Sequence, residues 1–304
     1  MWRTVIVNQG EKLTLRSNNL IIYSDGAEYH IPAEDIYALV IDNRSTMISV
    51  AVLTELTKYG AHIYYCDEKH VPVSVSLPLN NHYRPLNMIK KQIEMTDDFK
   101  NKIWSRIVRQ KILNQYKCLK YVGVEKAKSE PLLKISEAVT PGDKSNREAV
   151  AAKKYFQLLF GSTFRRSDDD VTNASLNYGY SIMRSSVCKT LTVYGFNCVL
   201  GLHHINENDP FNLAEDIMEP LRPVVDLWTD NNCDELFDTL TKENRKGLIN
   251  LVNVPVFING RKTRIRYAID VYVKSLVSAI NENNPDLLSL PELIPIDTIF
   301  EDDD

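Results

Sequence analysis

The stretch TVIVNQGEKLTLRSNNLIIYSDGAEYHIPAEDIYALVID, residues 4–42, decides the class of fold. Short runs of β-branched and aromatic residues alternate with NQGEK, RSNN and SDGAE, which are turn-forming sequences, so the segment reads as a series of short strands. Next, TMISVAVLTELTKYG (46–60) is a helix candidate with Gly60 as its C-terminal cap. AHIYYCD (61–67) and VPVSVSLP (71–78) read as further strands. Beyond LPLNNHYRPL (77–86) the texture changes. Apolar residues recur three and four apart in FKNKIWSRIVRQKILNQYKCLKYV (99–122), NREAVAAKKYFQLLFG (146–161), ASLNYGYSIMRSSVCKTLTVYG (174–195) and RYAIDVYVKSLVSAINE (266–282), which is helical spacing.

The expected organisation is therefore α+β. A small β-rich domain over residues 1–77 is followed by a linker at 78–86, a larger all-helical catalytic domain at 87–285, and a Pro-punctuated acidic tail, ordered in part, at 286–304. No solenoid-type repeat is present. No run approaches the apolar length of a membrane span, and the N-terminus lacks a signal peptide's apolar core, so a cytoplasmic location is expected. The 5 cysteines are spread out with no CxxC pair, which fits reduced, mostly buried thiols and argues against a zinc ribbon.

The net charge of −4 conceals a segregation. Residues 84–166 hold 19 Lys and Arg against 8 Asp and Glu, a local excess of +11, so the remainder carries −15. Lys102, Arg106 and Arg109 fall at i, i+4 and i+7, one stripe of a helix, with Trp104 and Ile107 off it. Such a stripe can track a phosphate backbone, or simply face water. Lys153, Lys154, Arg165 and Arg166 add cations further on.

GLHHINENDPFNLAEDIMEPLRPVVD (201–226) sets His203 and His204 about a dozen residues ahead of Glu215, Asp216 and Glu219. The spacing of Leu213, Ile217 and Leu221 predicts a helix, kinked or broken after Glu219 by Pro220, with Asp216 and Glu219 able to converge on one face. The segment reads either as part of a metal site or as a solvated loop leading into an acidic helix start. Glu148 follows Ser145 and Asn146, which are cap candidates, where a capping box wants an acid; capping alone would account for it. Two carboxylates and one imidazole would suit Mg²⁺ or Mn²⁺ and phosphodiester chemistry. Asn177, Tyr178 and Tyr180 lie around Gly179, a glycine best understood if a helix or ligand packs closely against it; aromatic packing is the expected role of the tyrosines. No P-loop, GxGxxG or G-x-S-x-G motif occurs, which disfavours ATP hydrolysis and serine-hydrolase chemistry.

SNREAVAAKKYF (145–156), NASLNYGYSIMR (173–184), GLHH (201–204) and DIMEPLRPVVD (216–226), in this order, resemble the CRISPR-associated spacer-integration endonuclease, the universal adaptation enzyme of CRISPR systems. WRTVIVN (2–8) and QKILNQ (110–115) are similar to its type II branch. The resemblance implies a Mg²⁺ or Mn²⁺ site formed by Glu148, His204 and Glu219, with Asp216 as a neighbouring acid. His204 is favoured over His203 because it ends the G-x-x-H step begun by Gly201.

It further implies a homodimer built through the β-rich domain, a small second CRISPR adaptation subunit, and double-stranded DNA whose 3′-OH ends attack repeat junctions by transesterification. The nucleophile would then belong to the DNA. A DNA-end-binding ring protein and an RNA-guided effector nuclease are further implied partners. Two rival readings remain open at this point: a general metal-dependent DNA repair nuclease that uses water, and a non-enzymatic DNA-binding scaffold in which Glu148 only caps a helix.

Overall fold

A computed structural model describes residues 3–9, 11–24, 26–68, 70, 72–76 and 85–296. The chain divides into two compact units, residues 1–83 and 84–304. Of the expected linker, residues 78–84 lie outside the described residues, while Pro85 and Leu86 already belong to the first helix of the second unit.

The first unit contains β1 (Arg3–Val7), β2 (Lys12–Arg16), β3 (Asn19–Ser24), β4 (Ala27–Pro32), β5 (Ile36–Ile41), β6 (Met47–Ile48), α1 (Val50–Lys58), β7 (His62–Cys66) and β8 (Pro72–Ser76). One sheet has the order β1-β5-β7-β8, with β1, β5 and β7 parallel and β8 antiparallel to β7. The other has the order β4-β3-β2-β6. The β2–β3 hairpin turns on Ser17 and Asn18, both at positive φ, as the twist of a two-residue hairpin requires. Leu13, Leu20, Ile36, Leu39, Leu56 and Ile63 form an apolar interior among the two sheets and α1.

The second unit contains α2 (Pro85–Glu94), α3 (Asp97–Tyr121), α4 (Lys126–Ser129), α5 (Pro131–Glu137), α6 (Arg147–Leu159), α7 (Val171–Val193), α8 (Asn212–Met218), α9 (Arg222–Asn231) and α10 (Lys242–Asn250). A hairpin of β9 (Pro255–Ile258) and β10 (Arg261–Arg264), turning on Asn259 and Gly260 at positive φ, precedes α11 (Ile265–Asn281). This hairpin is an addition to the helical domain expected from sequence. Helix α3 runs through the unit and packs against α5, α6 and α9, while α7 packs against α8, α9, α10 and α11. Gly179 of α7 lets α9 approach: a Cβ there would sit 2.4 Å from Val225 Cγ1, and 3.2 Å from Leu248 Cδ2 of α10. No helix among the described residues is long and apolar enough to cross a membrane.

The segment expected to be an acidic tail, ordered in part, packs against α3 as far as it is described. Leu288 and Leu293 are buried. Asn114 of α3 donates to the carbonyls of Pro220 (2.7 Å) and Pro291 (2.9 Å) and accepts from the Leu293 amide (3.0 Å). The two leucines supply the buried contact. The final acidic run lies in 297–304, outside the described residues.

Candidate metal centre

The start of α6 settles what Glu148 does locally. Asn146, with φ of 51°, is the N-cap and accepts from the Ala149 amide. Buried Asp143 accepts from the Arg147 and Glu148 amides, each at 2.9 Å. The cap therefore falls one residue later than a Ser145 capping box would place it, and Glu148 takes no part in capping by its side chain. Instead, Glu148 Oε1 accepts from Lys111 Nζ of α3 at 2.6 Å.

The same ammonium also pairs with Glu219 Oε2, and the Glu219 side chain is almost fully buried. Glu219 Oε1 accepts from Arg222 Nε at 2.8 Å. Burial acts to raise the Glu219 pKa, but the charges of Arg222 and Lys111 together with their hydrogen bonds outweigh it and hold the carboxyl down at about 2. Burial likewise acts to discharge Lys111, and Glu219 with Glu148 reverses it, so the ammonium stays above the ordinary lysine value. Sequence reasoning passed over Lys111. Its signal is positional, because it falls in phase with the apolar seam Trp104, Ile107, Cys118 of α3, where a lysine has no apolar reason to be.

Asp216 and Glu219 engage different partners, and Pro220 opens a 3-10 turn at Glu219–Leu221 between α8 and α9. Asp216 is fully buried and turns toward the 202–204 backbone. Its Oδ2 accepts from the Leu202 (2.6 Å) and His203 (3.0 Å) amides. Its Oδ1 accepts from the His204 amide (3.1 Å) and pairs with His204 Nδ1 (2.6 Å). Gly201 makes this loop possible, since a Cβ would lie 2.1 Å from the His204 carbonyl oxygen and 3.1 Å from Asp216 Oδ2.

A carboxylate can only accept, so the Nδ1 proton of His204 is fixed and Nε2 is left for another partner. The Asp216 hydrogen bond raises the His204 pKa against the effect of burial, and Asp216, Glu219 and Glu148 add to the rise through their charge. His203, by contrast, stacks on Trp104 with centroids 4.3 Å apart and planes 5° apart, while His204 meets the Trp104 edge at 5.8 Å. The doubled histidine thus divides its work: one ring packs and the other is aimed by a carboxylate.

Behind Glu219, Arg222 Nη2 donates to Glu215 at 2.6 Å, and Arg184 donates to Glu215 at 2.9 Å. Arg222 also lies over the Tyr180 ring at 4.6 Å. Tyr180 and Tyr155 donate to buried Asp226, with the Tyr155 bond at 2.9 Å. Burial, partly opposed by these hydroxyls, pushes the Asp226 carboxyl up to about 6.

The expected DNA-contacting cations separate into two groups. Lys102 pairs with Asp98 at 2.6 Å, Arg106 with Asp286 at 2.7 Å, and Arg109 donates to the carbonyls of Ser136 and Val139. Arg166 is held by Asn173 and Asn177 beside Tyr180. Lys153, Lys154 and Arg165 have no side-chain partner among the described residues, and Lys153 and Arg165 are exposed.

The family model described as CRISPR associated protein Cas1 matches residues 4–231. The chain belongs to the Cas1 family. It is 38% identical over 297 residues to the CRISPR-associated endonuclease Cas1 of Neisseria meningitidis serogroup C, covering 97% of each chain. It is 23% identical over 303 residues to CRISPR-associated endonuclease Cas1 1 of Francisella tularensis subsp. novicida, covering 91% of this chain and 95% of that one. Among solved structures, a casposase bound to integration product superposes with a TM-score of 0.75 at 17% identity, over 93% of this chain and 91% of that one. A Cas6-RT-Cas1–Cas2 complex gives 0.75 at 19% identity, over 97% of this chain and 36% of that one. At such identities these structures speak to the fold alone, which is the Cas1 arrangement of a β-rich N-terminal part and a helical C-terminal part.

The Cas1 resemblance implies a divalent cation, and the residues suit one. Glu148 and Glu219, from separate elements, already face a single cation, the Lys111 ammonium. The partner of one Glu219 oxygen is that same ammonium, and the His204 Nε2 has no partner among the described residues. With the ammonium between the carboxylates, no three His, Cys, Asp or Glu side chains among the described residues stand around one metal-sized point.

Proposed function

We propose that this chain is a CRISPR adaptation integrase. In this reading it inserts short DNA duplexes into a repeat array, and the 3′-OH ends of the duplex attack phosphodiesters at the repeat junctions. Membership of the Cas1 family, with curated relatives named as CRISPR-associated endonucleases, supports a DNA nuclease or strand-transfer activity. The observation that carries the reading is the convergence of Glu148 and Glu219 on one cation beside the aimed ring of His204.

Glu148, His204 and Glu219 are the residues that would hold Mg²⁺ or Mn²⁺, hard cations suited to two carboxylates and an imidazole. When bound, such an ion supplies charge stabilisation to the phosphoryl and leaving oxygens. The chain's own part is positional. Asp216 fixes the tautomer and direction of His204. Arg222 and Arg184 hold Glu215 in place, and Arg222 holds Glu219. Lys153, Lys154 and Arg165 offer free cations to the phosphate backbone, with Arg166 held in place beside them. No side chain has to serve as nucleophile, because the attacking hydroxyl belongs to the DNA.

The Cas1–Cas2 composition of a structural neighbour supports a small second adaptation subunit as partner. The full identity range shared with the Neisseria protein supports the type II branch, in which a homodimer, a DNA-end-binding ring protein and an effector nuclease complete the assembly, in the cytoplasm.

The test is a strand-joining assay. Wild-type protein with its partner subunit, a labelled 3′-OH duplex and Mn²⁺ is expected to join label to a supercoiled plasmid carrying the repeat. Glu148→Ala and His204→Ala should abolish joining, and His203→Ala should reduce it less. Nicking of the plasmid without joined product would show water as the nucleophile and replace integration with repair-type hydrolysis. Full activity of Glu148→Ala or His204→Ala would remove that residue from the site.

A further inference from the structure

The cation between Glu148 and Glu219 is the chain's own. We propose that Lys111 is a displaceable internal counterion: its ammonium holds the two carboxylates together in the metal-free protein and is expelled from between them when the divalent ion binds. The proposal rests on the assignment of Glu148 and Glu219 as metal ligands, and it adds what must leave before they can act.

Three features single out Lys111. The first is place. Its Nζ is 2.6 Å from Glu148 Oε1 and also in contact with Glu219 Oε2, so it lies between the two oxygens a metal would share. The second is charge balance. Glu148, Glu215 and Glu219 are matched by Lys111, Arg184 and Arg222 in one connected set of ion pairs. Asp216, paired with His204, and Asp226, beside Tyr180, lie next to this set, so the pressure on a resident cation is local: a divalent ion between Glu148 and Glu219 would stand against the Lys111 ammonium unless that ammonium withdrew.

The third is mobility, which decides which cation withdraws. Arg222 is held by Glu215 as well as Glu219 and lies over Tyr180. Arg184 is held by Glu215 and lies over Phe211 at 4.8 Å. Among the described residues the ion pairs of Lys111 are to the two candidate ligands alone, and a lysine carries its charge on a flexible four-carbon stem. The Glu148 side chain is 25% exposed, so the pair can be reached from solvent on that side. Once displaced, the ammonium remains tethered to α3 at the edge of the same site. There it is free to pair with a phosphodiester oxygen, so the metal would prepare the site for its anionic substrate.

Metal affinity and metal-free stability test this directly. Mn²⁺ binding to the full-length wild type, Lys111→Met and Lys111→Gln is measured by titration calorimetry and by the loss of the free Mn²⁺ signal in electron paramagnetic resonance. Thermal unfolding is recorded with and without Mn²⁺. Lys111→Met should unfold at a lower temperature without metal, since two buried carboxylates lose their common partner. It should bind Mn²⁺ about tenfold more tightly or better, because no ammonium has to be expelled. Mn²⁺ should then restore most of its lost stability.

Should Lys111→Met fail to fold, Lys111→Gln keeps amide donors for the carboxylates and is expected to show the same tightening. A merely structural lysine would give weaker or unchanged Mn²⁺ binding in both variants, and either result overturns the proposal. Wild-type protein that binds no Mn²⁺ would overturn the metal-site reading itself, a different failure from tight wild-type binding that Lys111 does not influence.

Discussion

In the N-terminal unit the interior is built from Val7, Leu13, Leu20, Ile36, Leu39, Leu56 and Ile63, with Glu11, Asp42 and His62 as its buried polar groups among the described residues. The helical unit closes instead around Lys111, Asp143, Asp216, Glu219, Asp226 and Arg266, in addition to its leucines and valines. Apolar burial stabilises by roughly 25 cal/mol per Å², whereas each ion taken from water costs several kcal/mol before its partners repay it. A helical bundle of this size has no need of such groups for stability, and apolar substitutes of similar shape are often as good or better. The difference teaches where selection for something other than folding has acted. One unit is packed as a scaffold, and the other carries a charge network that makes sense as a preassembled site for a cation and an anionic substrate.

The largest effect that can break this contrast comes from Glu219. Glu219→Ala leaves Lys111 and Arg222 without the carboxylate they share, and should cost about 3–5 kcal/mol of stability as well as strand joining. It is therefore a poor test of chemistry alone. Glu148, with its partly exposed side chain, gives the cleaner variant: Glu148→Ala should lose joining while keeping most of the stability seen by urea denaturation. If Glu219→Ala is as stable as wild type, the buried network is not holding the site.

The counterpart in the other unit is Leu39→Ala, which removes a fully buried side chain from the sheet interior. It should cost about 2–5 kcal/mol of stability, read from the denaturation midpoint at constant slope. Mn²⁺ affinity should not change. A metal affinity that fell with Leu39→Ala would show that the two interiors are not functionally separate.

A finer effect concerns Asp226, held by Tyr155 and Tyr180 behind Arg222. Its carboxyl is pushed up to about 6 in the folded chain against the ordinary 3.8. An acid whose pKa is raised by folding weakens the fold as pH climbs. Below 3.8 both states keep the proton and nothing is lost; between 3.8 and about 6 the unfolded chain ionises first, and above 6 the penalty is complete. Asp226→Asn removes that term. The stability of Asp226→Asn relative to wild type should therefore improve by about 1 kcal/mol between pH 5 and pH 7.5, measured by urea unfolding of both proteins. A constant difference across that range would mean the carboxylate is already ionised at pH 5.

Much of this was legible in residue order, and the failures share a cause. The strand runs of residues 4–42 and the long helical periods announced themselves because the apolar period reports the buried face directly. The β9–β10 hairpin was missed although Asn259-Gly260 is a strong hairpin signal, because its strands, PVFI and RKTR, show no paired apolar alternation. Glu148 was found, but the sequence could equally make it a cap, and only the actual N-cap at Asn146 separates the two roles. Helical spacing places Asp216 and Glu219 near one another but does not give their separate partners, three backbone amides for Asp216 and Arg222 with Lys111 for Glu219. Lys111 stayed hidden because a lysine on a basic helix reads as solvated. Its partners come from residues 37 and more than 100 positions away, a relation that no local pattern encodes.

The smallest effect tests the same distinction among surface charges, between cations already committed within the chain and cations left open. Lys102, Arg106 and Arg109 form the stripe that periodicity picked out, yet each has a partner, and Arg106 and Arg109 hold the 286–288 and 136–139 segments onto α3. Lys153, Lys154 and Arg165 lie beyond Glu148 in the sequence without such partners among the described residues. Every phosphate contact on duplex DNA contributes about 0.9 to the slope of log affinity against log salt. A Lys153→Ala, Lys154→Ala, Arg165→Ala triple variant should flatten that slope by up to about 2.7 if all three touch phosphate, with unfolding unchanged. The Lys102→Ala, Arg106→Ala, Arg109→Ala triple variant should leave the slope nearly intact while lowering stability, since what it removes are bonds inside the fold. The measurement is fluorescence anisotropy of a labelled duplex over a salt series, with thermal unfolding of each variant alongside. The reverse outcome, a flattened slope for the α3 triple and an unchanged one for the other, would put the DNA along α3 and show that an ion pair within the chain does not keep a cation from a phosphate.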